Sequence, residues 1–178
     1  TVSSQAIIDR LVMGFPRRLR PAIPREYGAD NPEAKRGAMI RRFGEPLVRG
    51  QSYRIRHGVY AVLPHGRDVL LTHQAEPEPE FQLPGGGIDP GESPLRALHR
   101  EVFEETGWSI AAPRRIGAFR RFVYMPEYDR WAEKLCTIYL ARPVRRLGRP
   151  SEPGHEAVWM PLGAACRMLG NAGDRHFA

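Results

Sequence analysis

Apolar and polar residues alternate along much of the chain after residue 52, and this alternation predicts short β-strands. A turn at 64–67 separates two of these strands and predicts a hairpin, while the acidic, proline-rich segment 75–80 predicts a loop. The predicted strands cover residues 53–56, 58–63, 68–73, 81–83, 115–124, 135–141 and 155–160. The pattern leaves the order of these strands in a sheet open.

Two segments instead follow a helical pattern. The longer one, roughly 93–106, begins at Ser93 and Pro94, a favourable N-terminal pair, and ends at Gly107, a favourable C-terminal residue. Its predicted apolar stripe for the core consists of Leu95, Leu98 and Val102. The acids of this helix are expected on another face. A final helix is predicted at about 162–169.

Residues 1–46 form a Pro- and Arg-rich extension before the predicted domain at 47–178. Within it, residues 6–13 predict one short amphipathic helix, since Asp9 and Arg10 interrupt the apolar run. The same interruption argues against a secretory signal, and no apolar stretch is long enough to cross a bilayer. We therefore expect a cytoplasmic protein without membrane association, in which the extension wraps the domain or supports a homodimer.

Length and composition are those of an ordinary soluble domain. The chain has 178 residues, 42% hydrophobic and 26% charged, which suits one domain with a sizeable core. It has two cysteines, Cys136 and Cys166. We expect two separate buried thiols and neither a disulfide nor a metal-binding pair.

The net charge favours anionic partners. A formal charge of +7 and a pI near 10.0 suit nucleotides, RNA 5′ ends or inositol polyphosphates. Much of the excess is arginine in pairs, at 17–18, 41–42, 114–115, 120–121 and 145–146. Scattered pairs are weaker evidence than one basic block, and no RNA-binding module is recognisable. A small phosphorylated molecule is therefore favoured over RNA.

Three carboxylates crowd around one arginine on the predicted helix at 93–106. Glu101, Glu104 and Glu105 lie at helical spacings that place them near one another, with Arg100 beside them. Repulsion among the acids falls if a cation binds, and the all-oxygen ligand set suits Mg²⁺ or Mn²⁺ better than zinc. The alternative is a solvated helix face with an Arg100–Glu104 ion pair. The glycines at 85–87 favour the metal site, because glycine lets backbone oxygens approach a ligand closely.

These residues resemble the catalytic motif of the Nudix hydrolase family, which reads G-x5-E-x7-R-E-U-x-E-E-x-G-U, with U a bulky aliphatic residue. The fixed positions are filled by Gly86, Glu92, Arg100, Glu101, Glu104, Glu105 and Gly107. Val102 fills the first U, and Trp108 departs from the last U in size only. The resemblance extends over about residues 58–170. It implies an α/β fold, an α/β/α sandwich with a mixed sheet and a catalytic loop and helix.

The resemblance also implies hydrolysis of a diphosphate linked to another group, with Mg²⁺ or Mn²⁺ as cofactor. Glu104 and Glu105 are the implied metal ligands, joined by a carbonyl oxygen of Gly85 or Gly86. Glu101 is implied either to bind metal or to deprotonate the attacking water. Because members of the family differ in their base, this role stays open.

Two further residues of the motif have implied supporting roles. Arg100 is expected to orient a glutamate through a charge-assisted hydrogen bond. Glu92 is expected to make an outer contact to the metal or substrate. Its alternative is an acid favoured by the dipole at the helix N-terminus.

Substrate choice must come from outside the motif. Glu156, in the late strand, is a candidate acid near the metal or base, against the alternative of a surface acid. The basic candidates for phosphate binding are Arg54, Arg56, Arg120 and Lys134. The aromatic candidates for base stacking are Tyr124, Tyr128 and Trp131. For each of these the alternative is surface charge or packing.

The predicted function is that of a Mg²⁺-dependent pyrophosphohydrolase acting on a nucleoside diphosphate derivative or a nucleoside triphosphate. Dinucleoside polyphosphates, RNA 5′ ends and diphosphoinositol polyphosphates are the alternative substrates. A different class is a non-catalytic, nucleotide-sensing domain. The complete set of motif glutamates argues against that class.

Overall fold

The computed structural model describes residues 40–76, 78–125 and 128–178. Its elements, in chain order, are β1 (Arg41–Gly44), β2 (Arg54–His65), β3 (Asp68–Gln74), β4 (Glu80–Gln82), β5 (Gly85–Gly87), α1 (Pro94–Thr106), β6 (Trp108–Met125), β7 (Arg130–Arg146), β8 (His155–Pro161), α2 (Leu162–Met168) and α3 (Ala172–Phe177). The predicted helix at 6–13 lies outside the described residues. The domain division at residue 46 stays a prediction.

The strands form one mixed sheet in the order β1-β6-β7-β2-β3-β4, with β5 paired to β2 and β8 paired to β3. Strand β2 is central because it has partners on both sides. Residues 54–62 pair in parallel with β7, and residues 63–65 pair antiparallel with β3. This sheet and its helices confirm the predicted α/β class.

Helices cover both faces of the sheet, as the predicted sandwich requires. Helix α1 packs on Val59 and Ala61 of β2 and on Tyr139 of β7. Helix α3 packs on the opposite face, where a Cβ at Gly173 would lie 2.3 Å from the Phe119 ring. Phe119 lies opposite Cys136 of β7, and Cys136 and Tyr139 face opposite sides of the sheet because they are three residues apart. One layer of the core therefore lies between the sheet and α1, and a second layer lies between the sheet and α3.

Several strands are longer than the alternation predicted. The two strands expected at 53–56 and 58–63 are one strand, β2, which continues through Gly58. A Cβ at Gly58 would lie 3.0 Å from the carbonyl oxygen of Gly86, so glycine here permits close pairing with β5 and does not break the strand. Strands β6 and β7 also extend well past their predicted ends, because each pairs with the other along nearly its whole length.

Helix α1 has the predicted ends but a different buried face. The Ser93 hydroxyl accepts the Arg96 N–H at 3.4 Å, and Gly107 ends the helix with φ 73°. Leu98 and Val102 are fully buried, whereas Leu95 is 46% exposed, so the predicted stripe was wrong at Leu95. The buried face also contains the following residues of α1: Ala97, Glu101 and Glu105. Because the buried face of the helix includes two of its acids, Leu95 lies at the edge of that face and is partly exposed.

The C-terminal region contains the predicted helix α2 and a further helix, α3, that the pattern did not predict. Asn171 caps α3 by accepting the Asp174 N–H at 2.8 Å. Both cysteines are free thiols: Cys136 is buried, as predicted, whereas Cys166 is only half-buried. Among the helices of the described ranges, none is both long and apolar enough to span a membrane.

Candidate active site

The acids of α1 pack directly against the glycine strand β5. The Gly85 N–H donates to Glu105 Oε2 at 3.0 Å. A Cβ at Gly86 would lie 2.4 Å from Glu101 Oε2, and one at Gly85 would lie 2.1 Å from the carbonyl oxygen of Val59. The two glycines therefore leave the space that the carboxylates and strand β2 occupy. This contact joins helix α1 to strand β5.

Arg100 holds the remaining acids of the motif together. Its guanidinium donates to Glu92 at 2.8 and 3.1 Å, to Glu101 at 2.8 Å and to Glu104 at 3.0 Å. It also donates to the carbonyl oxygen of Gly87 at 3.1 Å. The hydrogen bond to Arg100 lowers the pKa of Glu92, so this carboxylate is ionised at neutral pH. Arg100 thus connects the helix, the loop before it and strand β5.

Two residues from the other end of the chain join Glu105. His155 Nδ1, at the start of β8, lies 3.4 Å from Glu105 Oε1 and 3.4 Å from Thr72 Oγ1. One ligand atom each of Glu105, Glu152 and His155 lies within 4.8 Å of the others. These three side chains come from α1, from the loop before β8 and from β8. Together they form a group that is able to hold a metal ion.

The loop that carries Glu152 is tied to the end of α1. The backbone N–H groups of Ser151 and Glu152 both donate to the carbonyl oxygen of Glu104, at 2.8 and 3.0 Å. One turn further on, the Leu147 N–H donates to the carbonyl oxygen of Gly107 at 2.8 Å. These bonds satisfy carbonyl groups that would otherwise lack partners at a helix end. They also fix the backbone of Glu152 beside the acids of α1.

Burial makes the charged forms of these acids costly. Desolvation raises the pKa of Glu101 and raises that of Glu105 well above its usual range. Desolvation also lowers the pKa of His155, which disfavours the imidazolium. Glu105 is 4% exposed and Glu101 9% exposed. Burial therefore makes both acids easier to protonate, and a bound cation would favour the carboxylates.

The donor set fits a hard divalent cation. Carboxylate oxygens from Glu101, Glu105 and Glu152 converge on one region, and hard cations prefer oxygen ligands. Glu104 is ion-paired with Arg100 at 3.0 Å and does not line the region where the other three carboxylates converge. A divalent metal bound by acidic side chains is also what the resemblance to the Nudix hydrolase family implies.

A cavity of about 290 Å³ joins the acids to a basic and aromatic region. Glu101, Glu105, Glu152 and His155 line one end. Arg56, Met125, Tyr128 and Lys134 line the other end. The Arg56 guanidinium stacks over Tyr128, 4.8 Å from the ring centroid. A ligand in this cavity would meet carboxylates at one end and cations at the other.

A second cavity of about 280 Å³ lies on the outer side of α1, lined by Arg100, Glu101, Glu104, Ser151 and Glu152. Glu101 and Glu152 line both cavities. The side chains of these two residues therefore lie at the boundary between the two cavities.

The structure separates the other predicted site residues into two groups. Arg56 and Lys134 line the larger cavity, together with Gly85 and Gly86 of the motif. Arg54 and Arg120 are exposed and line neither cavity, and Arg120 pairs with Glu133 at 3.1 Å. Of the aromatic candidates, Tyr128 alone lines a described cavity.

Glu156 is exposed and lines neither described cavity, because it faces away from the acids. It lies opposite His73 in the β3–β8 pair, while its neighbour His155 points to Glu105. Consecutive strand residues point to opposite faces, so only one of the two can reach the site. The residues that sequence reasoning missed are Glu152 and His155. The only local signal for them was their closeness to Glu156 in the chain.

Comparison with known proteins agrees with this architecture. The NUDIX domain family model matches residues 53–178. The chain is similar to the "Putative 8-oxo-dGTP diphosphatase" of Bacillus subtilis, with 39% identity over 66 residues, 37% of this chain and 44% of that protein. It is also similar to an RNA pyrophosphohydrolase of Helicobacter pylori, with 48% identity over 44 residues, 25% of this chain and 28% of that protein. The matched part thus spans less than half the length of either relative.

Solved structures show the same fold. A NUDIX hydrolase from Nitrosomonas europaea superposes with a TM-score of 0.57 and 21% identity, over 69% of this chain and 85% of that one. A MutT NUDIX hydrolase from Burkholderia pseudomallei superposes with a TM-score of 0.53 and 25% identity, over 62% of this chain and 85% of that one. Because the family model covers well over half of the chain, this chain belongs to the NUDIX domain family.

Proposed function

We propose that this protein is a Mg²⁺-dependent pyrophosphohydrolase that cleaves the diphosphate linkage of a nucleoside diphosphate derivative or a nucleoside triphosphate. One observation carries the proposal: the buried acids of α1 meet Glu152 at one end of a cavity whose other end holds Arg56 and Lys134. The first end suits a cation, and the second suits phosphate oxygens. A diphosphate substrate needs both.

Bound Mg²⁺ would neutralise phosphate oxygens and the charge that develops as the linkage breaks. Glu104 and Glu105 are the proposed ligands, with a carbonyl oxygen of Gly85 or Gly86 and the carboxylate of Glu152. His155 is proposed to orient the Glu105 carboxylate, because His155 Nδ1 lies 3.4 Å from Glu105 Oε1. Mn²⁺ satisfies the same set of oxygen ligands.

Glu101 is the proposed general base. In the hydrolysis, the oxygen of a water molecule bonds to one phosphorus, and the bond from that phosphorus to the bridging oxygen breaks. The bridging oxygen leaves with the other phosphoryl product, and the water proton passes to Glu101. Burial raises the pKa of Glu101, which brings a carboxylate closer to the range in which it accepts a proton effectively. Arg100 orients it through the 2.8 Å hydrogen bond.

Arg56 and Lys134 are proposed to bind phosphate oxygens on the side away from the acids. Arg56 is braced for this role, since its guanidinium stacks on Tyr128 and lies against Gly87, where a Cβ would be 3.3 Å from Nη2. A planar guanidinium held in this way can bind a phosphate through two parallel hydrogen bonds. The glycine at 87 leaves the space that the guanidinium needs.

The test is a panel of phosphorylated compounds, assayed with Mg²⁺, with Mn²⁺ and with a chelator. The panel should include nucleoside triphosphates, nucleoside diphosphate sugars, dinucleoside polyphosphates and diphosphoinositol polyphosphates. We expect metal-dependent release of phosphate or pyrophosphate from at least one nucleotide, and loss of that release in Glu101→Gln. Tight nucleotide binding without turnover under every metal condition would instead support a nucleotide-sensing domain.

A further inference from the structure

The larger cavity has a third region, formed by the amide side chains of Gln74 and Gln82, which we call the amide pair. Gln74 lies opposite His155 in the β3–β8 pair. Gln82 lies opposite Thr72 in the β3–β4 pair, and the Thr72 hydroxyl is 3.4 Å from His155 Nδ1. Residues that lie opposite one another in paired strands point to the same side of the sheet. Because the same ring nitrogen is 3.4 Å from Glu105 Oε1, His155 lies between the amide pair and the buried acids.

A chain of hydrogen bonds fixes the direction in which each amide points. Gln74 Nε2 donates to the carbonyl oxygen of Glu76 at 2.7 Å, which turns Gln74 Oε1 toward Gln82. Gln82 Nε2 donates to that oxygen at 2.9 Å and to Glu80 Oε2 at 2.9 Å. An amide nitrogen has two N–H donors, and both are used here. The reverse orientation of the Gln82 amide would place its oxygen against two acceptor oxygens.

The side-chain oxygen of Gln82 remains available as an acceptor. Within residues 40–76, 78–125 and 128–178, no group donates a hydrogen bond to it. In the same described ranges, every buried side-chain nitrogen or oxygen has a hydrogen-bond partner, so Gln82 Oε1 must be in contact with solvent. Because Gln82 is only partly exposed and lines the cavity, a ligand there meets an acceptor that the described residues leave unused.

Glu80, which fixes the Gln82 amide, is itself held by the C-terminal segment. A Cβ at Gly170 would overlap the Glu80 carboxylate, and the Gly170 N–H donates to the carbonyl oxygen of Phe81 at 3.0 Å. The Gln82 amide is therefore hydrogen-bonded to a glutamate that packs against the backbone. An acceptor whose orientation is fixed before binding loses little freedom when a ligand binds, and it discriminates better than one that is free to turn over.

We propose that Gln82 determines base specificity, with its Oε1 accepting a hydrogen bond from the exocyclic amino group of adenine, guanine or cytosine. The inference rests on the proposed function for the reaction but not for the binding of the base. A base beside the amide pair places the ribose near His155 and the phosphates at the acids. This arrangement follows the order Gln74, His155 and Glu105, which the register and the 3.4 Å contact define.

The same acceptor disfavours bases that lack an amino group. Uracil and hypoxanthine have a carbonyl oxygen where cytosine and adenine have the amino group, and two acceptor oxygens that face each other leave both without a donor. Hypoxanthine also lacks the amino group of guanine. A site that hydrogen-bonds a substrate group rejects the analogue without that group more strongly than an apolar pocket does. Among the bases that fit the cavity, the preference should therefore follow the amino group.

The experiment compares Gln82→Met with Gln51→Met, a change at an exposed glutamine that lines neither cavity. Methionine nearly keeps the length of the side chain and removes both polar atoms of the amide. The value of kcat/KM is measured for ATP and GTP against ITP, and for CTP against UTP. In the wild type and in Gln51→Met we expect at least one amino nucleotide to exceed its partner by about tenfold or more. In Gln82→Met we expect that ratio to fall to within about twofold of one.

A second variant, Glu80→Gln, tests the fixed orientation without changing residue 82. The new amide can offer an N–H in place of the carboxylate oxygen, which allows the Gln82 amide to turn over and present its nitrogen to the cavity. The preference for amino nucleotides should therefore fall although Gln82 is still present. This variant keeps the proposal testable if circular dichroism shows that Gln82→Met does not fold.

Binding of nucleoside monophosphates separates this inference from the proposed function, because these compounds contain no diphosphate to cleave. Titration calorimetry of AMP and GMP against IMP, and of CMP against UMP, should show the same preference, and Gln82→Met should remove it. If no diphosphate compound is hydrolysed but this preference is seen and then lost in the variant, the Gln82 assignment holds and the proposed function fails.

Three results would overturn the Gln82 assignment. One is hydrolysis by the wild type without any preference for amino nucleotides, which would leave the proposed function standing. Another is a preference that is unchanged in both Gln82→Met and Glu80→Gln, which would mean that other groups select the base. The third is the absence of calorimetric binding for all of the monophosphates together with equal kcat/KM values for all of the triphosphates.

Discussion

Gly86 and Glu101 are in such close contact that a Cβ at Gly86 would lie 2.4 Å from Glu101 Oε2. The carboxylate of the proposed base therefore rests on the backbone of strand β5. We predict that Gly86→Ala displaces this carboxylate and lowers kcat by about 10²-fold, since misplacing a catalytic group by about 1 Å has an effect of that size. The fold should survive, because the overlap is with the far end of a side chain. Steady-state kinetics and circular dichroism measure the two effects.

The control for this substitution is Gly163→Ala in helix α2, where no heavy atom lies within 4 Å of the added Cβ. Its kcat should equal that of the wild type. A wild-type kcat in Gly86→Ala would show that the Glu101 carboxylate is free to move without loss of function.

Half of the candidate site could be predicted from the sequence because it is local. Helix α1 and strand β5 are close in the chain, and their contacts follow from the spacing of Gly86, Glu101 and Glu105. The ends of the helix were equally predictable, since Ser93 and Gly107 are residues that caps require.

The other half depends on long-range pairing. Whether residue 155 or residue 156 faces the acids is decided by the register between β8 and β3, and a shift of one residue reverses the choice. No local pattern encodes that register, so Glu156 was predicted as a site residue, whereas His155 is the residue of β8 that faces Glu105.

Glu152 and Glu156 form a matched pair for a second prediction. Glu152→Gln removes a carboxylate that lines both cavities, so we expect lower kcat and a higher half-saturating Mg²⁺ concentration. Glu156→Gln changes an exposed residue of the same type outside both cavities, and its kinetics should match the wild type. Magnesium titrations of activity distinguish the two. The reverse pattern would return Glu156 to the site and remove Glu152.

A third prediction concerns the stability effect of Glu105. Burial raises the pKa of Glu105 well above its usual range, so this group stabilises the fold fully only below its unfolded pKa, and that contribution is lost as pH rises through the folded pKa. In metal-free protein at pH 8, Glu105→Gln should therefore have a Tm equal to or above that of the wild type. Added Mg²⁺ should raise Tm in the wild type and not in the variant.

The control for the thermal shift is Glu45→Gln, which removes one exposed carboxylate. It should keep the wild-type response to Mg²⁺. If Glu105→Gln also kept the full response, Glu105 would not be a metal ligand, and the ion would be held by other acids.

The last prediction concerns Asp174 in α3, which is 3% exposed and accepts the Leu83 N–H at 3.3 Å. Burial raises its pKa from 3.8 to about 6. The folded state therefore binds a proton that the unfolded state has released, and the stability from this group is present below about pH 4 and lost as pH rises through 6. Asn keeps an oxygen for the Leu83 N–H and carries no charge. Asp174→Asn should thus raise the free energy of unfolding at pH 8 by up to about 3 kcal/mol, from a shift of about two pKa units.

The advantage of Asp174→Asn over the wild type should shrink steadily between pH 7 and pH 4, because the wild-type carboxyl becomes protonated over that range. Urea unfolding at a series of pH values measures this difference directly. Asp68→Asn, at the exposed start of β3, serves as the control for removing one negative charge from this basic protein. A stability gain that is equal in both variants, or independent of pH in Asp174→Asn, would mean that relief of burial at Asp174 is not its cause.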